Sequence, residues 1–290
     1  MICKINKYGT VPYMNSIRNI IFLGMVVMGI IMALVVFEKP KPPQAPPVES
    51  STESNIAPTY SEAPSDISKI PILTYHSFGP KPAFKENKTQ LQYRVTVAMF
   101  ESHMKYLADK GYATITFADL VENQISGKPL PKNPVVITFD DGWKSQYEFA
   151  VPILEKYKFT ATFFIITNSI GAKAYMTVDE LKDLHTKGFE IASHTKSHPK
   201  LPSLDDVKLV EELQGSKKDL EGRVGITVKT LAYPYYAYDD RVMKAVQDAG
   251  YLGARAGWGS FKNGSDRLFE MVSQESVNNP NPFASTRVAE

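Results

Sequence analysis

From about residue 68 the chain alternates short apolar runs with longer segments in which apolar residues recur every three or four positions. The short runs predict β-strands, and the longer segments predict amphipathic helices. The predicted strands are Pro71–His76, Val135–Phe139, Thr160–Thr167, Phe189–Ser193, Thr230–Tyr233 and Tyr251–Ala256. The predicted helices are Val97–Lys110, Ser145–Tyr157 with a candidate kink at Pro152, Val178–Lys187, Leu204–Gly222 and Asp239–Ala249. This alternation predicts an α/β fold in which helices pack outside a mostly parallel sheet.

The N-terminal part of the chain has a different pattern. Ile20 to Phe37 is a run of 18 residues without a charged side chain, which at about 1.5 Å per residue nearly spans a hydrocarbon core. Basic residues before the run favour a cytoplasmic location for residues 1–19. We therefore expect an uncleaved transmembrane signal anchor at residues 20–37, because no small-x-small cleavage site lies between Ala33 and Pro40. A cleaved signal peptide is the main alternative, and a buried core helix is a weaker one.

Residues 38–67 are rich in Pro, Ser, Thr and Glu, a composition that buries no core and tends towards extended geometry. We expect an extracytoplasmic linker here, which leaves residues 68–290 for the folded domain. The only cysteine, Cys3, precedes the apolar run, so the exported part has no disulfide. The formal net charge of +2 and the absence of a Lys/Arg cluster give no reason to expect a nucleic-acid partner.

Polar residues occur where the predicted strands end. Asp140 and Asp141 follow one apolar run, His194 and His198 follow another, and His76 ends the first. In parallel α/β folds the carboxyl ends of the strands form the functional edge, so these side chains are expected to meet there.

The two histidines are four residues apart, a spacing that places both imidazoles on one side of a helical turn. Zinc accepts histidine nitrogens and carboxylate oxygens, so either Asp140 or Asp141 could supply a third ligand. Neighbouring residues at a strand end point in different directions, so one acid would bind metal and the other would accept a proton from water. Taken alone, Asp-Asp-Gly is also common turn chemistry, and paired histidines can be solvated on a surface helix.

Three motifs resemble, in this order, those of the polysaccharide deacetylases with a NodB homology domain (carbohydrate esterase family 4). They are Thr-Phe-Asp-Asp-Gly at 138–142, Ser-His-Thr-Lys-Ser-His-Pro at 193–199 and Leu-Ala-Tyr-Pro-Tyr at 231–235. The resemblance covers about residues 68–280. It implies a distorted (β/α) barrel and one divalent metal ion, usually zinc, although cobalt and others suit the same ligands.

The resemblance also implies a role for each matching residue. Asp140 would be the catalytic base, and Asp141, His194 and His198 would bind the metal. The backbone N–H of Tyr235 would stabilise the oxyanion that develops during the reaction.

The chain departs from the family pattern in two places. Many members have an arginine that supports the base where this chain has Ala232, so the orientation of Asp140 has no explanation. Many members also supply a histidine near the C-terminus as general acid, whereas no histidine follows His198. His76, in Leu-Thr-Tyr-His, resembles the front-placed histidine of the poly-N-acetylglucosamine deacetylase branch and would be the general acid. The alternative for His76 is a strand-end histidine that only shapes the groove.

The ligand pattern predicts metal-assisted hydrolysis, and the resemblance implies an enzyme that removes N-acetyl groups from a cell-surface polysaccharide containing N-acetylglucosamine. Poly-N-acetylglucosamine-type exopolysaccharide is favoured and peptidoglycan is the second candidate. Trp143 and Trp258 could stack on its sugar rings or pack in the core. The expected location is the cell membrane, with the domain outside, or secretion if the N-terminal helix is cleaved. The missing arginine and C-terminal histidine also allow a different class, a weak or inactive polysaccharide-binding protein on the same fold.

Overall fold

The computed structural model describes residues 70–79, 93–257, 268–275 and 281–283. The strands are β1 (Ile72–Tyr75), β2 (Ser77–Phe78), β3 (Arg94–Val95), β4 (Ala113–Ile115), β5 (Pro134–Phe139), β6 (Thr162–Ile165), β7 (Glu190–Ser193), β8 (Thr230–Ala232), β9 (Gly253–Gly257) and β10 (Met271–Glu275). The α-helices are α1 (Val97–Asp109), α2 (Phe117–Ser126), α3 (Val151–Lys156), α4 (Val178–Thr186), α5 (Asp206–Val224) and α6 (Asp240–Asp248).

The main sheet is parallel and curves back on itself. Its strand order is β1-β10-β9-β8-β7-β6-β5-β4, and β1 also pairs with β5. The strands β1 and β5 to β10 therefore form a ring. Strand β4 is not part of the ring and pairs with the first three residues of β5. The predicted α/β class and parallel sheet are confirmed, in the form of an irregular barrel.

The inner face of this ring changes from apolar to polar along β1 and β5. Towards the amino ends of these two strands, Ile72 and Val136 pack in one cluster with residues of α2. Towards the carboxyl ends the inner positions are polar, as in β5, where Val136 is followed by Thr138 and Asp140 on the same face. The core therefore closes the bottom of the ring and leaves polar side chains at the top.

Helix α2 closes the bottom because its first backbone amides bind the amino ends of two strands. The Phe117 N–H donates to Thr162 Oγ1 at 2.8 Å, and the Ala118 N–H donates to Glu190 Oε2 at 2.9 Å. Neither α2 nor the short strands β2, β3, β4 and β10 was predicted from the sequence.

One predicted helix has a different form. Within Ser145–Tyr157 the chain makes a π-turn over Gln146–Ala150 before α3 begins at Val151. Pro152 lacks an N–H and cannot continue the hydrogen-bond ladder of a preceding α-helix, so the break occurs at the predicted kink.

Within the described ranges, none of the helices is both long and apolar enough to cross a membrane. The predicted anchor at 20–37, the linker at 38–67 and Trp258 lie outside those ranges.

Candidate active site

The predicted site residues meet at the carboxyl ends of the strands. His76 follows β1, Asp140 and Asp141 follow β5, and His194 follows β7. Tyr235 lies in the turn after β8, with its ring centroid 4.6 Å from that of His198. His76 Nε2 lies 3.6 Å from Asp140 Oδ2, so the structure brings all six residues to one edge of the barrel.

Three of them form a group that could hold a metal ion. Asp141 Oδ1 lies 3.6 Å from Nε2 of His194 and 3.6 Å from Nε2 of His198. The three ligand atoms all lie within 4.8 Å of one another. Asp141 has a left-handed backbone with φ of 75°, so the extended strand geometry ends at this residue.

The chemistry of these donors fits a divalent cation. The Nδ1 atom of His194 lies 2.8 Å from the carbonyl oxygen of Ala232. A carbonyl only accepts, so Nδ1 carries the proton and Nε2 presents a lone pair towards Asp141. Burial lowers the pKa of His194 to about 4 and also lowers that of His198, which favours the neutral rings that bind metal.

The two histidines lie on a loop and not on the helical turn that their spacing suggested. Thr195 and His198 have φ values of 66° and 62°, which no helix contains. The loop takes this shape because Glu212 of α5 accepts hydrogen bonds from the N–H groups of Lys196 and Ser197, both at 2.8 Å, and from the Ser197 hydroxyl. One carboxylate therefore holds the segment between the two ligands.

Asp140 continues the inner face of β5 and is buried. Its Oδ2 accepts a hydrogen bond from Arg255 Nη2 at 2.5 Å. Burial alone would raise the pKa of Asp140, but the positive charge of Arg255, together with His194 and His76, lowers it below its ordinary value. An arginine on β9 thus takes the place of the arginine that is missing at Ala232, and it explains the orientation of Asp140, for which the sequence offered no explanation.

Arg255 is itself fixed in the barrel. Its Nη1 donates to Thr74 Oγ1 at 3.0 Å and to Ser273 Oγ at 2.7 Å, so hydroxyls of β1 and β10 hold the guanidinium. Its side chain is completely buried. The sequence carried a signal for this residue, because Arg255 is the one charged residue in the predicted strand Tyr251–Ala256.

Gln146, at the start of the π-turn, joins two of the strand ends. Its Nε2 donates to the carbonyl oxygens of His76, at 2.9 Å, and of Asp140, at 2.5 Å. Sequence reasoning missed this residue, which fixes the backbone of both His76 and Asp140.

A groove of about 470 Å³ opens beside the site. His76, Tyr93, Asp141 and Trp143 are among the residues that line it. Of the two predicted places for Trp143, groove or core, the side chain occupies the groove wall and is only partly buried. Tyr235 is 59% exposed, and its ring lies beside that of His198.

Comparisons with known proteins relate the chain to polysaccharide deacetylases. Residues 127–254 match the family model described as polysaccharide deacetylase. This part of the chain therefore resembles a polysaccharide deacetylase domain.

Two curated relatives carry related names. The chain is 34% identical over 183 residues to the Bacillus subtilis protein YxkH, whose name places it among the polysaccharide deacetylases. It is 32% identical over 181 residues to a poly-beta-1,6-N-acetyl-D-glucosamine N-deacetylase of Staphylococcus aureus. The matches cover 63% and 58% of this chain, and in each case 62% of the relative's length.

Solved structures share the fold. A polysaccharide deacetylase from Bacillus cereus superposes with a TM-score of 0.65 at 29% identity, over 75% of this chain and 68% of the other. The Streptococcus pyogenes deacetylase PplD gives a TM-score of 0.66 at 23% identity, over 78% and 96% of the two chains. The barrel is thus a fold that deacetylases use.

Proposed function

We propose that the chain is a metal-dependent deacetylase that removes N-acetyl groups from N-acetylglucosamine units of a cell-surface polysaccharide. The observation that carries the proposal is that the two neighbouring aspartates, Asp140 and Asp141, have different partners. Asp141 faces two histidine nitrogens, whereas Asp140 is held by Arg255 and its Oδ1 has no hydrogen-bond partner among the described residues. Metal-assisted hydrolysis of an amide uses such a ligand set beside an ionised carboxylate that can accept a proton from water.

The roles of the residues follow from their positions. A divalent metal held by Asp141, His194 and His198 would supply a Lewis acid that acidifies water and polarises the amide carbonyl. Oδ1 of Asp140 accepts the proton that the water loses as it attacks the carbonyl carbon. The N–H of Tyr235 donates to the carbonyl oxygen as negative charge develops on it.

The second half of the reaction needs a proton for the leaving nitrogen. The Nε2 atom of His76 lies 3.6 Å from Oδ2 of Asp140, and His76 lines the groove, so we assign it as the general acid. It donates a proton to the sugar nitrogen as the carbon–nitrogen bond breaks. The products are acetate and a free amine on the sugar.

Poly-N-acetylglucosamine-type polymer is our preferred substrate. The Staphylococcus aureus relative is named for that polymer, and His76 occupies the front position that we associate with that branch. Peptidoglycan, which also contains N-acetylglucosamine, is the second candidate.

Acetate release tests this function. The metal-loaded full chain should release acetate from poly-N-acetylglucosamine oligomers, lose that activity with a chelator, and regain it with zinc. If acetate is released from peptidoglycan but not from poly-N-acetylglucosamine, the proposed reaction is correct and the preferred substrate is wrong. No release from either polymer, with metal bound, would favour the polysaccharide-binding alternative.

Replacing His76 with Gln should lower acetate release from the sugar amide by about 10²- to 10⁴-fold, the usual contribution of a general acid. The same variant should hydrolyse 4-nitrophenyl acetate at close to the wild-type rate, because that leaving group departs without a proton. Equal losses on the two substrates would contradict the assigned role and indicate that His76 only shapes the groove.

We also propose that residues 20–37 anchor the chain in the membrane and that the domain lies outside. The chain should then sediment with membranes and be digested by protease added to intact cells. A chain beginning at residue 38 behind a cleavable leader is the control, because it should be soluble. Recovery of the full-length chain in the soluble external fraction would indicate cleavage instead.

A further inference from the structure

Trp143 makes a contact at the candidate metal site that its place in the groove wall does not require. Its indole Nε1 donates a hydrogen bond to Asp141 Oδ2 at 2.8 Å. The other oxygen, Oδ1, is the one that lies 3.6 Å from Nε2 of both His194 and His198. The two oxygens of the Asp141 carboxylate therefore face different partners.

The indole is held in place by the neighbouring loop. Trp143 stacks on Tyr175, with ring centroids 4.4 Å apart and an interplanar angle of 21°. The backbones of these two residues form an antiparallel bridge, flanked by hydrogen bonds from Lys144 N–H to Ala174 O at 2.9 Å and from Met176 N–H to Gly142 O at 3.0 Å. The direction of the indole N–H is thus determined before any ligand arrives.

A simple need for a hydrogen bond does not explain this contact. Trp143 is only partly buried and borders an open groove, where water could accept from its N–H. The N–H instead meets a carboxylate oxygen, and an indole can only donate. A donor that occupies Oδ2 leaves Oδ1 as the oxygen available to a cation and fixes the rotation of the carboxylate.

We propose that Trp143 is a positioning residue that makes Asp141 a one-oxygen ligand directed at His194 and His198. The proposal rests on the metal site of the proposed function. Partners of this kind around a metal ligand typically change metal affinity by about 10- to 100-fold.

Zinc affinity of the full chain, measured by competition with a chromophoric chelator, tests the proposal without a substrate. Trp143→Phe keeps an aromatic ring but removes the donor, and should bind zinc about 10- to 100-fold more weakly. Trp143→Gln should recover most of the affinity, because its amide nitrogen lies as many bonds from Cα as the indole nitrogen. Tyr157→Phe, at a tyrosine that stacks on Phe159 after α3 and takes no part in the site, is the control and should leave zinc affinity unchanged.

Wild-type affinity in a folded Trp143→Phe protein would overturn the proposal. So would equal weakening in the Phe and Gln variants, because Gln keeps an N–H donor, and the loss of the indole's shape rather than of its N–H would then be the cause. The melting temperature of each metal-free variant verifies that it is folded. If zinc affinities follow the prediction but the loaded wild type releases no acetate, the proposed function fails and the role of Trp143 stands.

Discussion

Replacing Asp140 with Asn should abolish most acetate release while leaving the bound metal in place. An amide cannot accept the proton of the attacking water, so the rate should fall by about 10²- to 10⁴-fold. Metal binding should persist because Asp141, His194 and His198 are the grouped ligands and Asp140 is not among them. The measurement is the rate of acetate release together with the zinc content of the same sample.

Asp248→Asn is the matched control for this substitution. Asp248 is an exposed acid at the end of α6 that pairs with Lys244, so its change should alter neither rate nor metal content. An Asp140→Asn variant that keeps the full rate would show that Asp140 is not the base. One that loses its zinc would show that Asp140 belongs to the ligand set.

Replacing Arg255 with Met should destabilise the domain by about 3–5 kcal/mol and also remove most of the activity. Arg255 and Asp140 are both buried, so the substitution leaves a carboxylate without its charged partner inside the barrel. In the wild type the pKa of Asp140 is lowered, so the pair stabilises the fold above the ordinary pKa of an aspartate. That stabilisation is lost as the pH falls through the pKa of the folded state. The loss in the variant, measured by denaturant unfolding, should therefore be large near neutral pH and smaller in acid.

Two further variants separate the ion pair from simple packing. Arg255→Lys keeps the charge but cannot reach Asp140, Thr74 and Ser273 together, so it should be intermediate in both stability and rate. The double variant Arg255→Met with Asp140→Asn removes the unpaired charge and should be more stable than Arg255→Met alone. If the double variant is no more stable than that single variant, the loss comes from packing and not from the buried charge.

The helices with local start and stop signals could be predicted to within about two residues. Helix α1 begins after Thr96, whose hydroxyl accepts from the Met99 N–H, and α6 begins after Asp239, whose carboxylate accepts from the Val242 N–H. Such caps are encoded within four residues and need no tertiary context. Strand β4 has three residues, too few for a periodic pattern. Because β4 was not predicted, α2 was not recognised as the helix that follows a strand.

The residues of the candidate site also differ in whether the sequence alone could locate them. Asp140, Asp141, His194 and His198 belong to short contiguous motifs and could be located in the sequence. Arg255 lies 115 residues from Asp140, and only the neighbouring positions of β9, β10, β1 and β5 in the ring bring the two together.

The conformation of the loop that carries the two histidines also could not be predicted from the local sequence. Their spacing suggested a helical turn. In the structure Glu212 of α5 accepts hydrogen bonds from two backbone N–H groups of the loop and stabilises a non-helical conformation. A carboxylate that lies 15 residues further along the chain leaves no mark in the local pattern.

The central claim is that this domain hydrolyses an N-acetyl group with Asp140 as base at a metal site. The most direct test is the stoichiometry of the reaction on poly-N-acetylglucosamine oligomers, with acetate and free amine measured in the same sample. The metal-loaded full chain should produce the two in equal amounts, and the metal-loaded Asp140→Asn variant should produce almost none. If the wild type produces no more than that variant while its metal is bound, the claim is contradicted.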